Sequence, residues 1–245
     1  AMQMFYVEPE QIQGDRVTIS GPDVNHIRTV LRMRPGEEVA VSDQRSFHAC
    51  CRIETLQADQ VVLTAKEALA DTELSAEVIL YQGLPKGDKM EWIIQKNTEL
   101  GVARIVPVAM ERSVVKLDGK KAAARLERWQ AVAESAGKQS GRTRVPQVEA
   151  VMSYAGMLEA AGECDLPLLP YEPASGMEET TRLLHQAAAG MRIGILVGPE
   201  GGFAPAEGDK AQAAGFQVMT LGRRILRTET AGMAMMAALM LMLEK

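Results

Sequence analysis

Two glycine-bearing segments near the carboxyl end carry the residue types that hold a ligand on backbone atoms. The first, Gly198-Pro199-Glu200-Gly201-Gly202, follows the continuous apolar run Ile193 to Val197. The second begins at Gly222, after the apolar run Phe216 to Leu221, and leads through three arginines to Thr228-Glu229-Thr230 and an apolar helix. Glycine has no Cβ, so the amides and carbonyls of such loops can come close to a bound molecule. Continuous apolar runs suit strands covered on both faces. Loops leaving strand carboxyl ends beside a helix start are where open α/β sheets bind ligands. The pattern alone leaves two readings open: a ligand pocket, or ordinary strand-to-helix turns, in which glycine is common.

The elements that must position these loops alternate between strand and helix from about Glu73 onward. A strand is expected over Val78 to Gln82. After the loop Gly83 to Gly87, Asp88 with Glu91 reads as a capping box for a helix through Leu100, with Met90, Ile93, Ile94 and Leu100 on one face and Gly101 as the stop. A strand over Arg104 to Ala109, a basic helix over Lys120 to Lys138 and a polar, doubly basic loop Gln139 to Pro146 follow. Further strands are expected over Pro146 to Val148 and Leu168 to Glu172, with helices over Tyr154 to Ala161 and Met177 to Ala189. This alternation predicts an α/β fold with a mostly parallel sheet. Upstream, five short strand-like runs, Gln3 to Val7, Arg16 to Ser20, Glu38 to Ser42, Phe47 to Glu54 and Gln60 to Ala65, predict a small β-barrel. One short helix, capped by Asp23 and burying Val24, Ile27, Val30 and Leu31, lies between the second and third runs. The polar stretch at Ala70 to Glu73 places the domain boundary, giving residues 1–72 and 73–245.

Composition narrows the function classes. A 245-residue chain with 47% hydrophobic and 24% charged residues suits a soluble globular protein. Its formal net charge of −5 hides a segregation. From Arg104 to Arg144 ten Lys or Arg stand against four Asp or Glu, while from Val145 to Met219 three stand against ten. A basic face on an acidic protein, or a set of solvated helix faces, would both account for this. Three cysteines make no disulfide framework and, with three histidines, no zinc spacing, so reduced thiols, a cytoplasmic location and no metal are expected. His26 is expected on the surface or in a cap. The start, AMQMFYVEPEQ, has acidic residues where a signal peptide would be basic and apolar. The apolar run Ala231 to Leu243 is too short to span a bilayer. It is expected as a helix buried in a core or at a subunit interface, which predicts a homodimer and no membrane partner.

The strings VGPEGGF and LGRRILRTETA, with HIRTVLRMRPGEEV, KGDKMEWIIQKNTELGV, ESAGKQSGRTRVP and LLPYE, resemble the RsmE family, the ribosomal RNA uridine-N3 methyltransferases of the SPOUT superfamily. The resemblance covers nearly the whole chain. It implies an amino-terminal PUA-like barrel that binds RNA and a SPOUT domain with a deep trefoil knot. It implies S-adenosylmethionine as cofactor and methylation of N3 of one uridine in 16S ribosomal RNA, as naked RNA or in the small ribosomal subunit. Three loops would then form the cofactor pocket. The first contributes Leu169 and Tyr171; the second Val197, Gly198, Glu200, Gly201 and Gly202; the third Leu221, Gly222, Ile225, Leu226, Thr230 and Ala231. SPOUT relatives generally pair through the last helix.

Uridine N3 carries a proton at neutral pH, and its removal leaves negative charge on the O2 and O4 edges. The expected charge stabiliser is Arg142, and the expected base is Glu229 or Glu200, whose alternative role is to hold a loop or cap a helix. Phosphate contacts are expected from Arg28, Arg32 and Arg34 in the front module. Others are expected from Lys116, Lys120, Lys121, Arg125, Arg142 and Arg144. Arg223 stands where the family pattern has proline and is given no role. Two other readings remain: methylation elsewhere, such as a ribose 2′-hydroxyl of transfer or ribosomal RNA, and RNA binding without catalysis. Dinucleotide binding would need a G-x-G-x-x-G after the first strand, which the sequence lacks.

Overall fold

The structure is a computed structural model that describes residues 2–115, 119–171 and 176–244. Two compact units emerge, Ala1–Glu73 with Gly137–Val145, and Leu74–Ala136 with Pro146–Lys245.

The first unit is a six-stranded sheet of β1 (Met4–Tyr6), β2 (Ile12–Gln13), β3 (Arg16–Ser20), β4 (Glu38–Ser42), β5 (His48–Leu56) and β6 (Gln60–Ala68). Its order is β1-β4-β5-β6-β3-β2, with β1 parallel to β4 and every other pair antiparallel. The alternation of strand side chains decides what faces the core. In β3, Val17 and Ile19 are buried while Arg16 and Ser20 are exposed, and Val39, Val41, Cys51, Ile53 and Leu63 complete the same cluster. The expected short helix is α1 (Pro22–Asn25), continued by a π-helical turn over His26–Val30 that buries Ile27. Gly21, at φ 74°, leads into it. Asp23 therefore does not cap; its carboxylate accepts from Lys138 Nζ at 3.1 Å.

A boundary at residue 72 leaves Gly137–Val145 in the second domain. The structure instead packs this segment into the first unit. Thr143, buried, donates from Oγ1 to Asp71 Oδ1 at 2.5 Å, and its carbonyl accepts from Ser42 Oγ at 2.5 Å. Tyr6 donates its hydroxyl to the Arg142 carbonyl at 2.8 Å. Buried polar groups need partners, and this segment's partners lie on β1, β4 and the Asp71–Glu73 stretch.

The second unit is a seven-stranded parallel sheet. Its elements are β7 (Glu77–Gly83), α2 (Lys89–Glu99), β8 (Arg104–Ala109), α3 (Gly119–Ser140), β9 (Gln147–Val148), β10 (Met152–Ser153), α4 (Tyr154–Ala161) and β11 (Leu166–Pro170). Then come α5 (Met177–Leu184), β12 (Arg192–Val197), α6 (Pro205–Ala213), β13 (Gln217–Met219) and α7 (Thr228–Leu243). The last turn of α3, from Gly137, belongs to the first unit. The order is β10-β8-β7-β12-β11-β13, with β9 beside β8. Residues Ile193 to Val197 of β12 are all buried, as a strand covered on both faces requires. From β7 the chain builds outward through β8, then crosses to the other side and inserts β12 against β7. That reversal leaves the carboxyl ends of β11, β12 and β13 together, where an open α/β sheet has its crevice.

The α2 capping box does not form. Asp88 takes the cap position but its side chain makes no cap bond, and Glu91 turns to Arg128 at 2.5 Å. On α7, Met235, Met236, Leu239 and Leu243 are buried, whereas Leu241 is 77% exposed. The helix is thus apolar all round but covered on one face only. Among the described residues, no helix is long and apolar enough to cross a membrane, and no group of three or more His, Cys, Asp or Glu could hold a metal ion.

Candidate active site

The loops after β11, β12 and β13 and the start of α7 line one open cleft of about 1200 Å³. That exceeds the roughly 300–1,000 Å³ of a typical small-molecule pocket, so one cofactor would leave room for a second reactant. Of the expected cofactor residues, Tyr171 borders it from β11, and Val197, Gly198, Glu200, Gly201 and Gly202 from β12. Leu221, Gly222, Ile225 and Leu226 follow from β13, and Ala231 from α7. Two do not reach it. Leu169 is fully buried in the core beside Met157 and Phe216, and Thr230 is partly buried on α7 without bordering the cleft. Glu172 lies outside the described residues.

A buried hydrogen-bond relay fixes the β12 loop. Gln82 at the end of β7 donates from Nε2 to Thr228 Oγ1 at 2.8 Å, and Thr228 donates onward to the Gly198 carbonyl at 2.6 Å. Because the single Thr228 proton goes to Gly198, its oxygen must accept, which sets the Gln82 amide orientation. Gly83 touches the same loop from behind. A Cβ there would stand 2.6 Å from both Cδ and the backbone nitrogen of Pro199. On the far side, Glu207 is buried and accepts from the amides of Ala204 and Glu111 at 2.9 and 2.8 Å. Gly198 itself is tight for an internal reason: a Cβ would meet Phe203 at 3.2 Å and the Gly202 carbonyl carbon at 3.3 Å. Gly222 is different. At φ 107° it occupies backbone that disfavours side chains, with nothing nearer than Arg224 at 4.0 Å.

Charge gathers where α2 and α7 begin. Lys89 Nζ lies 3.1 Å from Glu200 Oε1 and 3.6 Å from Glu229 Oε2, so one ammonium bridges Glu200, which borders the cleft, and Glu229, which does not. Burial tends to raise the Glu200 carboxyl. Hydrogen bonds from the Lys86 amide, its own amide and Lys89 outweigh that and hold it below the ordinary range. A carboxyl lowered on folding contributes stability above its unfolded pKa and loses it as pH falls through the lowered value. The Lys86–Glu200–Lys89 tie therefore persists through neutral pH and is given up only in acid. Glu229 Oε2 accepts no hydrogen bond among the described residues. The cleft wall thus holds one carboxylate tied by amides, Glu200, while Glu229 does not border the cleft and keeps its Oε2 buried beside Lys89.

Sequence reading missed Gln82, Gly83, Lys89, Arg112 and Thr228. Lys89 stands in KGDKMEW, where the local signal was helix capping, and only the α2–α7 contact reveals its partners. Arg112 donates to the Gly201 carbonyl at 3.0 Å across a separation no spacing rule covers.

The RNA methyltransferase domain family matches residues 72–240, and the RNA methyltransferase PUA domain family matches residues 19–66. The chain is also 37% identical to the ribosomal RNA small subunit methyltransferase E of Bacillus subtilis, over 97% of this chain and 96% of that protein. The chain belongs to this family of RNA methyltransferases. Another member, the small subunit methyltransferase E of Mycobacterium bovis, is 32% identical over 96% of this chain and 90% of its own length. The solved Neisseria gonorrhoeae small subunit methyltransferase E, bound to S-adenosyl methionine, matches with a TM-score of 0.85 at 34% identity. That match covers 99% of this chain and 98% of the other. Within the family frame, the PUA match runs from the end of β3 to most of β6, and the methyltransferase match spans the whole second-unit sheet and its cleft.

The residues expected to meet RNA or the developing charge are placed as follows. Arg28, Arg32 and Arg34 are exposed on the first unit, with Arg32 at φ 53° and Arg28 Nη1 donating to the Ala58 carbonyl at 3.4 Å. Arg144 is exposed there too, donating to the Arg45 carbonyl at 3.3 Å. Lys120 and Lys121 are exposed and Arg125 partly buried on α3 of the second unit. Lys116 lies outside the described residues. Arg142 needs correction. It is 4% exposed, sits in the first unit and directs its guanidinium at Glu73, with Nε 3.2 Å from Oε1. It does not line the cleft. Its burial and its pairing with Glu73 tie it to the 137–145 segment.

Proposed function

We propose that this chain methylates N3 of one uridine in the 16S RNA of the small ribosomal subunit, with S-adenosylmethionine in the cleft of the second unit. The observation that carries the reading is the cleft itself, in which glycine backbone, apolar side chains, the Glu200 carboxylate and the Lys89 ammonium converge at the strand ends. The fit to the cofactor rests on that lining. Val197, Leu221, Ile225 and Leu226 offer apolar walls for a purine, and the backbone at Gly202 and Gly222 stands open, since a Cβ at either would meet nothing closer than 4.0 Å. The Gly198 carbonyl, held by Thr228, is a fixed acceptor beside them. When bound, the sulfonium supplies an already activated methyl group. The protein's task is then to hold the uracil edge there and remove the N3 proton.

Glu229 is the base in this reading. Its Oε2, buried 3.6 Å from Lys89 Nζ, accepts no hydrogen bond among the described residues and is assigned the proton, whereas Glu200 is lowered by two amides and Lys89. Lys89 keeps the two carboxylates together without repulsion and places positive charge where uracil oxygens gain negative charge. Arg28, Arg32, Arg34, Arg144, Lys120, Lys121 and Arg125 serve as phosphate contacts that position RNA without selecting it. A ribosomal substrate calls for a protein of the cytoplasm, which is the location proposed with it.

The test is mass analysis of nucleosides digested from 16S RNA of cells lacking the protein, before and after complementation. A methyl group on uracil that appears only on complementation is expected. A ribose-methylated nucleoside would move the reaction to a 2′-hydroxyl, and no change with no cofactor uptake by the purified chain would leave an RNA-binding protein.

The working unit in this proposal is a homodimer. Trp92 on α2 is 50% exposed, and Leu241 and Met242 on α7 are exposed beside half-buried Met233 and Ala237. Contiguous exposed apolar surface on two adjoining helices marks an interface. Sedimentation equilibrium should show a dimer that Leu241→Arg converts to monomer. A wild-type monomer at all concentrations would overturn this.

A further inference from the structure

Between β13 and α7 the chain runs from Leu221 to Arg227 outside any regular element. Its course is set at the start. The Thr220 hydroxyl both accepts from the Gly222 amide and donates to the Gly222 carbonyl, each at 3.2 Å, while Gly222 turns at φ 107°. Arg223, Arg224 and Arg227 follow, all exposed and all bordering the cleft. Among the described residues none of the three guanidiniums holds a carboxylate. Elsewhere in the same unit Arg104, Arg128, Arg182 and Arg192 each sit within 3.1 Å of one. The other cations bordering the cleft are engaged: Lys89 is shared by Glu200 and Glu229, and Arg112 donates to the Gly201 carbonyl.

Three arginines without carboxylate partners on one rim call for anionic ligands. The cofactor brings a single carboxylate, which one bidentate guanidinium satisfies. A ligand with repeated anionic groups is a polynucleotide. The geometry of the target base points the same way. N3 lies on the Watson–Crick edge, so a uridine must be unpaired and turned out of its stack before that edge can enter a cleft. Its own backbone then stays at the mouth.

We propose that Arg223, Arg224 and Arg227 bind the phosphates flanking the extruded uridine and so position it over the cofactor cleft. The proposal rests on the reading of the cleft as an RNA-methylating site. Arg227 contributes twice, since its carbonyl also accepts the amides of Thr230 and Ala231 at 2.9 Å each and starts α7. The pair to mutate is therefore Arg223 and Arg224, whose side chains make no hydrogen bond or ion pair among the described residues.

The experiment measures binding of a single-stranded 16S RNA fragment carrying the target uridine, as a function of salt. For R223A/R224A the slope of log affinity against log salt should shrink in magnitude by about 1.4, at about 0.7 per lost phosphate contact on a single strand. The RNA KM should rise while kcat at saturating RNA holds, and calorimetric affinity for S-adenosylhomocysteine should stay unchanged. R223K/R224K should restore the slope, because lysine keeps the charge. An unchanged slope overturns the proposal. So does a fall in S-adenosylhomocysteine affinity at constant slope, which would give the arginines to the cofactor carboxylate. A wild-type chain that neither binds nor methylates the fragment would instead bring down the underlying functional reading, and the proposal with it.

Discussion

Glu229→Gln is expected to lower the single-turnover methylation rate by about 10²- to 10⁴-fold, the usual contribution of a positioned general base. The substitution is nearly isosteric and keeps an oxygen near Lys89, so cofactor and RNA affinities should remain close to wild type. What it removes is the ability to take a proton. Uridine N3 must lose one before it can attack, and the neighbouring carboxylate is less suited, because hydrogen bonds and Lys89 lower its basicity. The pH profile separates a base from a strut. As the solution becomes alkaline the uracil imide ionises unaided, so the deficit of the glutamine variant should narrow with rising pH. A deficit constant across pH, or none at all, would reduce Glu229 to a residue that holds the start of α7. Glu200→Gln should be milder in rate and show itself in loop order, since Glu200 ties the Lys86 amide to Lys89.

The difference between those two carboxylates could not be read from the chain. Both glycine loops were legible because apolar runs and glycines are local signals. The strand Arg192–Val197 ends where those signals place it, whereas Gln217–Met219 ends two residues before Leu221. What escaped depends on sheet order. Lys89 meets Glu200 and Glu229 only because β12 inserts beside β7, which brings the helices after β7 and β13 together. Gln82 and Thr228 are 146 positions apart. The Gly137–Val145 segment reads as a loop of the α/β domain, since nothing local announces that Thr143 will bond Asp71 and Ser42. Arg142 misled for a related reason. A basic residue in a glycine-bearing loop looks solvated until its carboxylate partner, 69 positions away, is known. Leu169 misled by alternation: both it and Leu168 are fully buried, so a strand end that borders a cleft still turns its apolar residues to the core.

Gly83 supports the strongest steric prediction. Alanine there would place its Cβ 2.6 Å from Pro199 Cδ, 2.6 Å from Pro199 N and 2.8 Å from Met110 Sδ. The methionine end can swing away, but the proline contact includes backbone and cannot yield without moving the loop. That loop has little slack. Thr228 holds the Gly198 carbonyl at 2.6 Å, and the Gly202 amide donates to the Pro199 carbonyl at 2.9 Å, closing a turn around Glu200 and Gly201. Pushing Pro199 outward therefore breaks the Thr228 bond or opens the turn, and either moves the acceptor and glycines that face the cofactor. Overpacking of this kind costs about 1–3 kcal/mol, so affinity for S-adenosylhomocysteine should fall roughly tenfold to a hundredfold. The sheet and its helices do not depend on the loop, and circular dichroism should remain that of a folded α/β protein. Met110→Ala in the same chain relieves only the sulfur contact and should not rescue binding. Wild-type affinity by calorimetry for a folded Gly83→Ala protein would show that the loop can move without affecting the cofactor, and would detach the β12 loop from the cofactor site.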